Sequence, residues 1–157
     1  MTASPTTADS PIPPTIEWVG GDTLATAGEG AHVELIDQRL LPGELTVVEA
    51  RTIPDLCEYI ATLSVRGAPA LGAAGAMGVA LAATLGLDLD EAAATVKATR
   101  PTAVNLGWGV DMAMAAEDPV AEAVRLAADD VARNRALGRH GAELVPEGAR
   151  VLTHCNA

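Results

Sequence analysis

The chain has 157 residues, of which 49% are hydrophobic, enough apolar side chains for a packed core and too many for a disordered tail. Its 21 Asp and Glu against 10 Lys and Arg give a formal net charge of −11, which argues against general binding along a nucleic-acid backbone but leaves room for local Arg sites. Trp18, Tyr59 and Trp108 are its only aromatic residues, so the core must be built from Ala, Leu and Val, a composition that brings backbones close together.

Residues 1–15 carry Pro5, Pro11, Pro13 and Pro14 and are expected to form a disordered lead-in without the basic start and apolar run of a secretory signal. Residues 16–19, 32–37 and 44–49 largely alternate apolar and polar, with Gly20-Gly21-Asp22 and Leu41-Pro42-Gly43 among the residues between them. That spacing predicts a small antiparallel meander with one wet face. After Arg51 the period becomes helical. Thr52-Ile53-Pro54 opens a first helix with Leu56, Tyr59, Ile60 and Leu63 on one face, ended by Arg66-Gly67.

The stretch from Gly67 to Leu87 has no charge and contains Gly72, Gly75 and Gly78. Its Ala and Gly content, and the lack of Trp or Tyr at its borders, favour a buried helix over residues 69–85 rather than a membrane span, with the glycines forming a groove for another backbone. Asp88 and Glu91 start a third helix through Lys97, which Arg100-Pro101 stops. Residues 104–116 read as a fourth helix, and Asp118-Pro119 caps a long fifth one to about Leu144. Pro146-Glu147-Gly148 is a turn, and residues 150–155 read as a strand. A strand in this position suggests the start of a further α/β unit, so the chain reads as part of a longer protein.

Three places could carry chemistry. Arg66-Gly67-Ala68-Pro69-Ala70 sets a guanidinium at the entrance of the Ala/Gly helix, where free N–H groups favour an anion; equally, Arg66 can be a solvated cation at a helix end and Gly67 a left-handed terminator. Arg100-Pro101-Thr102-Ala103-Val104-Asn105-Leu106 combines an Arg with polar groups suited to a phosphoryl or sugar hydroxyl; equally, Pro101 is a helix stop, Thr102 an N-cap and Asn105 a structural hydrogen bonder. Cys155 ends a strand, where a following helix N-terminus would activate a thiol, though buried cysteines are often inert. His154 is its neighbour, but strand alternation sends adjacent side chains to opposite faces, against a direct dyad. Cys57 fits the core. The two cysteines lie far apart with no metal or disulfide spacing, which fits a reducing cytosol. A P-loop, a Gly-x-Gly-x-x-Gly fingerprint after a strand and a Ser-His-Asp set are all absent.

Taken together, four motifs occur in order: Ile36-Asp37-Gln38-Arg39-Leu40-Leu41-Pro42-Gly43-Glu44, Val65-Arg66-Gly67-Ala68-Pro69-Ala70-Leu71-Gly72, Thr99-Arg100-Pro101-Thr102-Ala103-Val104-Asn105-Leu106, and Leu152-Thr153-His154-Cys155-Asn156-Ala157. In that order they resemble the amino-terminal part of the S-methyl-5-thioribose-1-phosphate isomerase family of methionine salvage. The resemblance implies an α+β fragment: a small antiparallel sheet and a bundle of about five helices over residues 16–145, then residues 146–157 opening a Rossmann-like domain. It implies substrate contacts at Arg66, Gly67, Ala68 and Arg100, chiefly to phosphate, and a catalytic Cys155. The family's catalytic Asp falls downstream of Ala157, so the 157 residues alone are expected to be inactive. Also implied are a phosphosugar substrate, no metal or other cofactor, no nucleic-acid or membrane partner, a cytoplasmic setting and a homodimeric full-length enzyme. Ribose-1,5-bisphosphate isomerase and the non-catalytic alpha, beta and delta subunits of translation initiation factor 2B are the alternatives within the same fold.

Overall fold

A computed structural model describes residues 13–152. Three strands, β1 (Ile16–Val19), β2 (His32–Ile36) and β3 (Val47–Ala50), precede five helices: α1 (Ile53–Ala61), α2 (Ala68–Thr84), α3 (Leu89–Thr99), α4 (Val104–Ala115) and α5 (Pro119–Ala142). The expected α+β arrangement of small sheet and five helices is therefore present. The sheet is antiparallel in the order β1-β2-β3. Its register pairs Ile16 with Leu35, Trp18 with Val33, Leu35 with Val48 and Val33 with Ala50, which gathers the apolar residues on the face that joins the core. Glu17, Glu34 and Glu49 pair across the opposite, wet face.

Three helices start on side-chain caps. In α1, Thr52 accepts from the Asp55 N–H while the Asp55 carboxylate accepts from the Thr52 N–H, a complete capping box. Asp88 accepts from the Glu91 N–H at α3. Asp118 accepts from Val120 and Ala121 at α5 and also from the N–H of Leu24, tying the β1–β2 loop to that helix start. Burial raises the Asp118 carboxyl, but these three backbone donors outweigh it and leave the group lowered.

At the centre lies α2. Residues Leu71 to Ala82 are buried apart from the half-buried Ala73, because α1, α3, α4, α5 and the sheet all pack around this helix. The uncharged stretch is thus an interior helix, and among the described residues no helix is long and apolar enough to cross a membrane. Its tightest neighbour is α4. A Cβ placed on Gly75 would lie 2.3 Å from the Leu106 carbonyl oxygen, and one on Gly109 would lie 1.9 Å from that of Gly72. Glycine is therefore required on both helices, and the groove reading of Gly72 and Gly75 holds with backbone set on backbone. Gly78 instead faces the side chains of Leu56 and Val96.

Five local expectations are corrected. Leu63 is not on the buried face of α1 but 43% exposed, at φ 66, where it supplies the left-handed residue that ends the helix. Gly67 consequently does not terminate α1; it is the N-cap of α2 at φ 94, ψ 135, a conformation open essentially to glycine alone. The N-cap of α4 is Ala103 rather than Thr102, with no side-chain cap bond. Thr15 is not part of a free lead-in, since its carbonyl accepts the Ile36 N–H; residues 1–12 of that lead-in lie outside the described residues. Of the strand expected over residues 150–155, residues 150–152 are irregular and exposed, with no neighbouring strand to pair with among the described residues, and the remainder lies outside them.

The two glycine environments on α4 give a direct test. Gly109→Ala should destabilise the fold by about 3 kcal/mol or more, since the new methyl meets a backbone that cannot swing aside. Gly107→Ala, where nothing lies within 4 Å of the added atom, should stabilise it by about 0.5–1 kcal/mol through the unfolded state. Urea unfolding of the two variants beside the parent measures both.

Candidate functional site

Close contact between α2 and α4 brings their first turns to one place. A surface hollow of about 450 Å³ is lined by Leu63, Arg66, Gly67, Ala68 and Leu71 from one side and by Arg100, Thr102, Ala103, Val104 and Asn105 from the other. Arg66, Gly67, Ala68 and Arg100, which the sequence places in two separate loops, thus border a single site. Cys155 lies outside the described residues.

The chemistry of this lining is one-sided. It contains two guanidinium groups and no carboxylate, in a chain of net charge −11. Among the described residues, neither Arg66 nor Arg100 has an ion-pair partner, whereas Arg39, Arg51 and Arg125 are each clamped by a neighbouring carboxylate. Neither α2 nor α4 has a side-chain cap, so N–H groups of their first turns, those of Ala68, Ala70 and Asn105 among them, lack an intrahelical acceptor. Two positive helix ends and two guanidinium groups without a carboxylate partner among the described residues border one hollow, an arrangement whose electrostatics favour an anion. A second hollow, of about 300 Å³, touches the other side of Arg66 and Gly67 but is also lined by Asp130, whose charge disfavours an anion there.

The Arg66 loop is held from the sheet by residues that sequence reading does not single out individually. Beyond β2, the Gln38 N–H donates to the Ser64 carbonyl at 2.9 Å, and Gln38 Nε2 donates to the Arg66 carbonyl at 3.2 Å. Gln38, Asp37 and Ser64 are all buried. Fixing the main chain at both ends of the turn leaves the Arg66 side chain exposed while its backbone is tethered. Asp37 accepts from Arg39 Nε and Nη2 at 2.8 and 2.6 Å and from the Arg39 backbone N–H at 3.1 Å. The Arg39 side-chain bonds are the main reason that its carboxyl is held down to about 2; burial opposes them, and the backbone bond and the Ser64 hydroxyl assist. The sequence does carry a signal for this bracket: polar Asp37 and Gln38 directly continue a strand whose neighbouring residues are buried.

A family model described as the initiation factor 2 subunit family matches residues 64–157, the span containing both arginine loops. The chain belongs to the initiation factor 2 subunit family. A relative in Methanothermobacter thermautotrophicus, described as a putative methylthioribose-1-phosphate isomerase, is 47% identical over 143 residues, covering 91% of this chain and 43% of its own length. Among solved structures, 5-methylthioribose 1-phosphate isomerase from Pyrococcus horikoshii superposes with a TM-score of 0.64 at 32% identity, over 88% of this chain and 42% of that one. The delta subunit of translation initiation factor eIF-2B from A. fulgidus gives 0.63 at 41% identity, over 92% and 45%. The chain therefore spans under half the length of these initiation factor 2 subunit family relatives, which include proteins described as isomerases and one described as a translation factor subunit.

Because the folded Asp37 carboxyl lies below its ordinary value of 3.8, its contribution is complete above about pH 4 and is lost as pH falls toward 2. Asp37→Asn should cost on the order of 1 kcal/mol at pH 7, a figure kept low because the half-exposed Arg39 is screened by solvent. The difference in stability between parent and variant should shrink toward zero between pH 4 and pH 2, as read by denaturant unfolding across that range.

Proposed function

We propose that this chain supplies the phosphate-binding end of an aldose–ketose isomerase that converts 5-methylthioribose 1-phosphate into 5-methylthioribulose 1-phosphate. The observation that carries this reading is the carboxylate-free hollow shared by Arg66, Arg100 and the first turns of α2 and α4. The isomerase descriptions of the relatives supply the reaction class.

In the proposed roles, Arg66 and Arg100 neutralise the substrate phosphate, and the backbone at Gly67 and Ala68 approaches it closely because no side chain intervenes at Gly67. The phosphate on the C1 oxygen prevents ring opening through a free hemiacetal. The C1–ring-oxygen bond must break while that oxygen gains a proton from a general acid. Hydrogen then moves from C2 to C1, and the C2 hydroxyl gives up its proton to become the ketone, so substrate and product are isomers. Cys155 assists the C2-to-C1 transfer, as acid and base through an enediol or by organising a hydride shift. The general acid is the Asp that the family resemblance puts beyond Ala157.

The same reading takes residues 146–157 as the opening of a Rossmann-like domain, with the site between that domain and the helices. It takes the parent as a cytoplasmic homodimer acting on a phosphosugar without a redox or metal cofactor in the reaction, and without nucleic-acid or membrane partners. The likeness to an eIF-2B delta subunit favours one second reading, a non-catalytic regulatory subunit; two unpaired arginines facing a hollow are better used by a bound anion.

Turnover of 5-methylthioribose 1-phosphate, measured on this chain and on a form extended to the length of its relatives, decides between them. The extended form should isomerise the sugar, and the present chain should show negligible turnover. In the extended form, Cys155→Ser should lower kcat by about 10²–10⁴, while Arg66→Gln should lower kcat/KM by about 10–100-fold through the lost charge-assisted bonds. Unchanged turnover by the Cys155→Ser variant would remove Cys155 from the mechanism, and an extended form inactive on the sugar would favour the regulatory subunit.

A further inference from the structure

The wet face of the sheet carries a group of side chains that the isomerase reading does not use. Glu17 stands opposite Glu34 and Glu34 opposite Glu49, a row of three carboxylates across neighbouring strands. Like charges directly opposite one another destabilise a sheet unless something positive lies among them. His32 is on the same face as Glu34, two residues away on β2, and its side chain is only 8% exposed.

Hydrogen bonding orients its ring. Nδ1 lies 2.8 Å from the Gly30 carbonyl oxygen, and only a protonated Nδ1 can bond to a carbonyl. In the neutral ring, the lone pair therefore resides on Nε2. That atom points at two carboxylate oxygens, Glu34 Oε1 at 3.4 Å and Glu49 Oε1 at 4.0 Å. The two anionic oxygens draw positive charge to this edge of the ring, which either a proton on Nε2, bonded to Glu34, or a metal ion supplies. Arg51 does not fill that place: it binds the other Glu49 oxygen, Oε2, through Nε at 2.8 Å, and donates through Nη1 to the Gly30 carbonyl at 3.2 Å.

We infer that His32 Nε2, Glu34 Oε1 and Glu49 Oε1 form a binding site for a divalent cation of the zinc type, with Gly30 and Arg51 supporting the ligands from behind. The three ligand atoms lie within 4.8 Å of one another. Ligands about 2.0–2.2 Å from a tetrahedral zinc stand roughly 3.3–3.6 Å apart; the His32–Glu34 edge is 3.4 Å and the His32–Glu49 edge 4.0 Å, so the half-exposed Glu49 side chain must move inward to complete the set. One imidazole and two carboxylates form a mixed nitrogen and oxygen set suited to zinc rather than to magnesium or calcium. A histidine ligand characteristically donates its other ring N–H to a carbonyl, as His32 does to Gly30. The left-handed φ of 94 at Gly30 belongs to the turn that presents this carbonyl.

The site lies at the opposite end of β2 from Gln38, about 20 Å along the strand at roughly 3.3 Å per residue. Its role is to cross-link β2 and β3, separate from any chemistry at the Arg66 hollow. Zinc titration of the full chain against a chromophoric chelator, with cobalt as a spectroscopic stand-in, provides the test. The expected result is one-to-one binding, a zinc-dependent rise in the unfolding temperature and the visible absorption of low-symmetry four-coordinate cobalt. His32→Gln and Glu49→Gln should each weaken zinc binding by about tenfold or more, while His140→Gln leaves it unchanged. Glu49 is nearly half exposed, so its variant remains informative even where the His32 variant unfolds. An absence of binding at micromolar zinc would overturn the inference, as would affinity untouched by Glu49→Gln; in either case a proton suffices between the ring and the carboxylates.

Discussion

The contact between α2 and α4 is made by backbone rather than side chains, and the geometry of the candidate site depends on it. With Gly72 and Gly75 on one helix meeting Gly109 and the Leu106 carbonyl on the other, the two axes come closer than larger residues permit. A chain with almost no aromatic residues fills its interior by such approach instead of by bulk. The consequence reaches beyond packing: the first turns of both helices, and the arginine that precedes each, are brought to one hollow.

That hollow collects positive helix ends and guanidinium groups and offers them no carboxylate. The remainder of the molecule supplies the restraint. Gln38 holds the turn before α2 by its backbone and side chain, and Asp37 is in turn held by Arg39. Strand β2 thus acts as a rigid arm whose far end fixes the Arg66 loop. Acidic residues dominate the chain as a whole, so a carboxylate-free opening is where an anion meets the least repulsion.

Much of this architecture is legible in the sequence for identifiable reasons. Alternation in residues 16–19 and 32–37 marks the strands, and Thr52, Asp88 and Asp118 mark three helix starts because each side chain caps the first turn of its helix. At α4 the sequence points one residue early, as Thr102 resembles a cap but its side chain makes no such bond. Periodicity misplaces Leu63 because it cannot show that a helix turns left-handed at an apolar residue, while Gly67 nearby offers a more conventional stop. The two arginine loops are each ambiguous alone, and no local pattern shows that residues so distant in the chain share one opening. Polar Asp37 and Gln38 at the end of a strand hint at the bracket, but its partners escape sequence reading for the same reason, being main-chain atoms of a distant turn. His32 and the glutamates of the sheet read as ordinary alternation, since their convergence depends on strand register.

The place where an anion binds this chain is the most direct measure of whether the Arg66 and Arg100 hollow is a phosphate site. Backbone amide shifts followed by NMR during titration with 5-methylthioribose 1-phosphate, and with inorganic phosphate as the simpler probe, locate it without requiring turnover. The largest changes should fall on the Ala68, Ala70 and Asn105 amides, and they should be lost in the Arg66→Gln, Arg100→Gln double variant. Saturating shifts confined to other cationic regions, such as the end of α5 around Arg135 and Arg139, would contradict a phosphate site at the hollow, as would shifts at α2 and α4 that survive loss of both arginines.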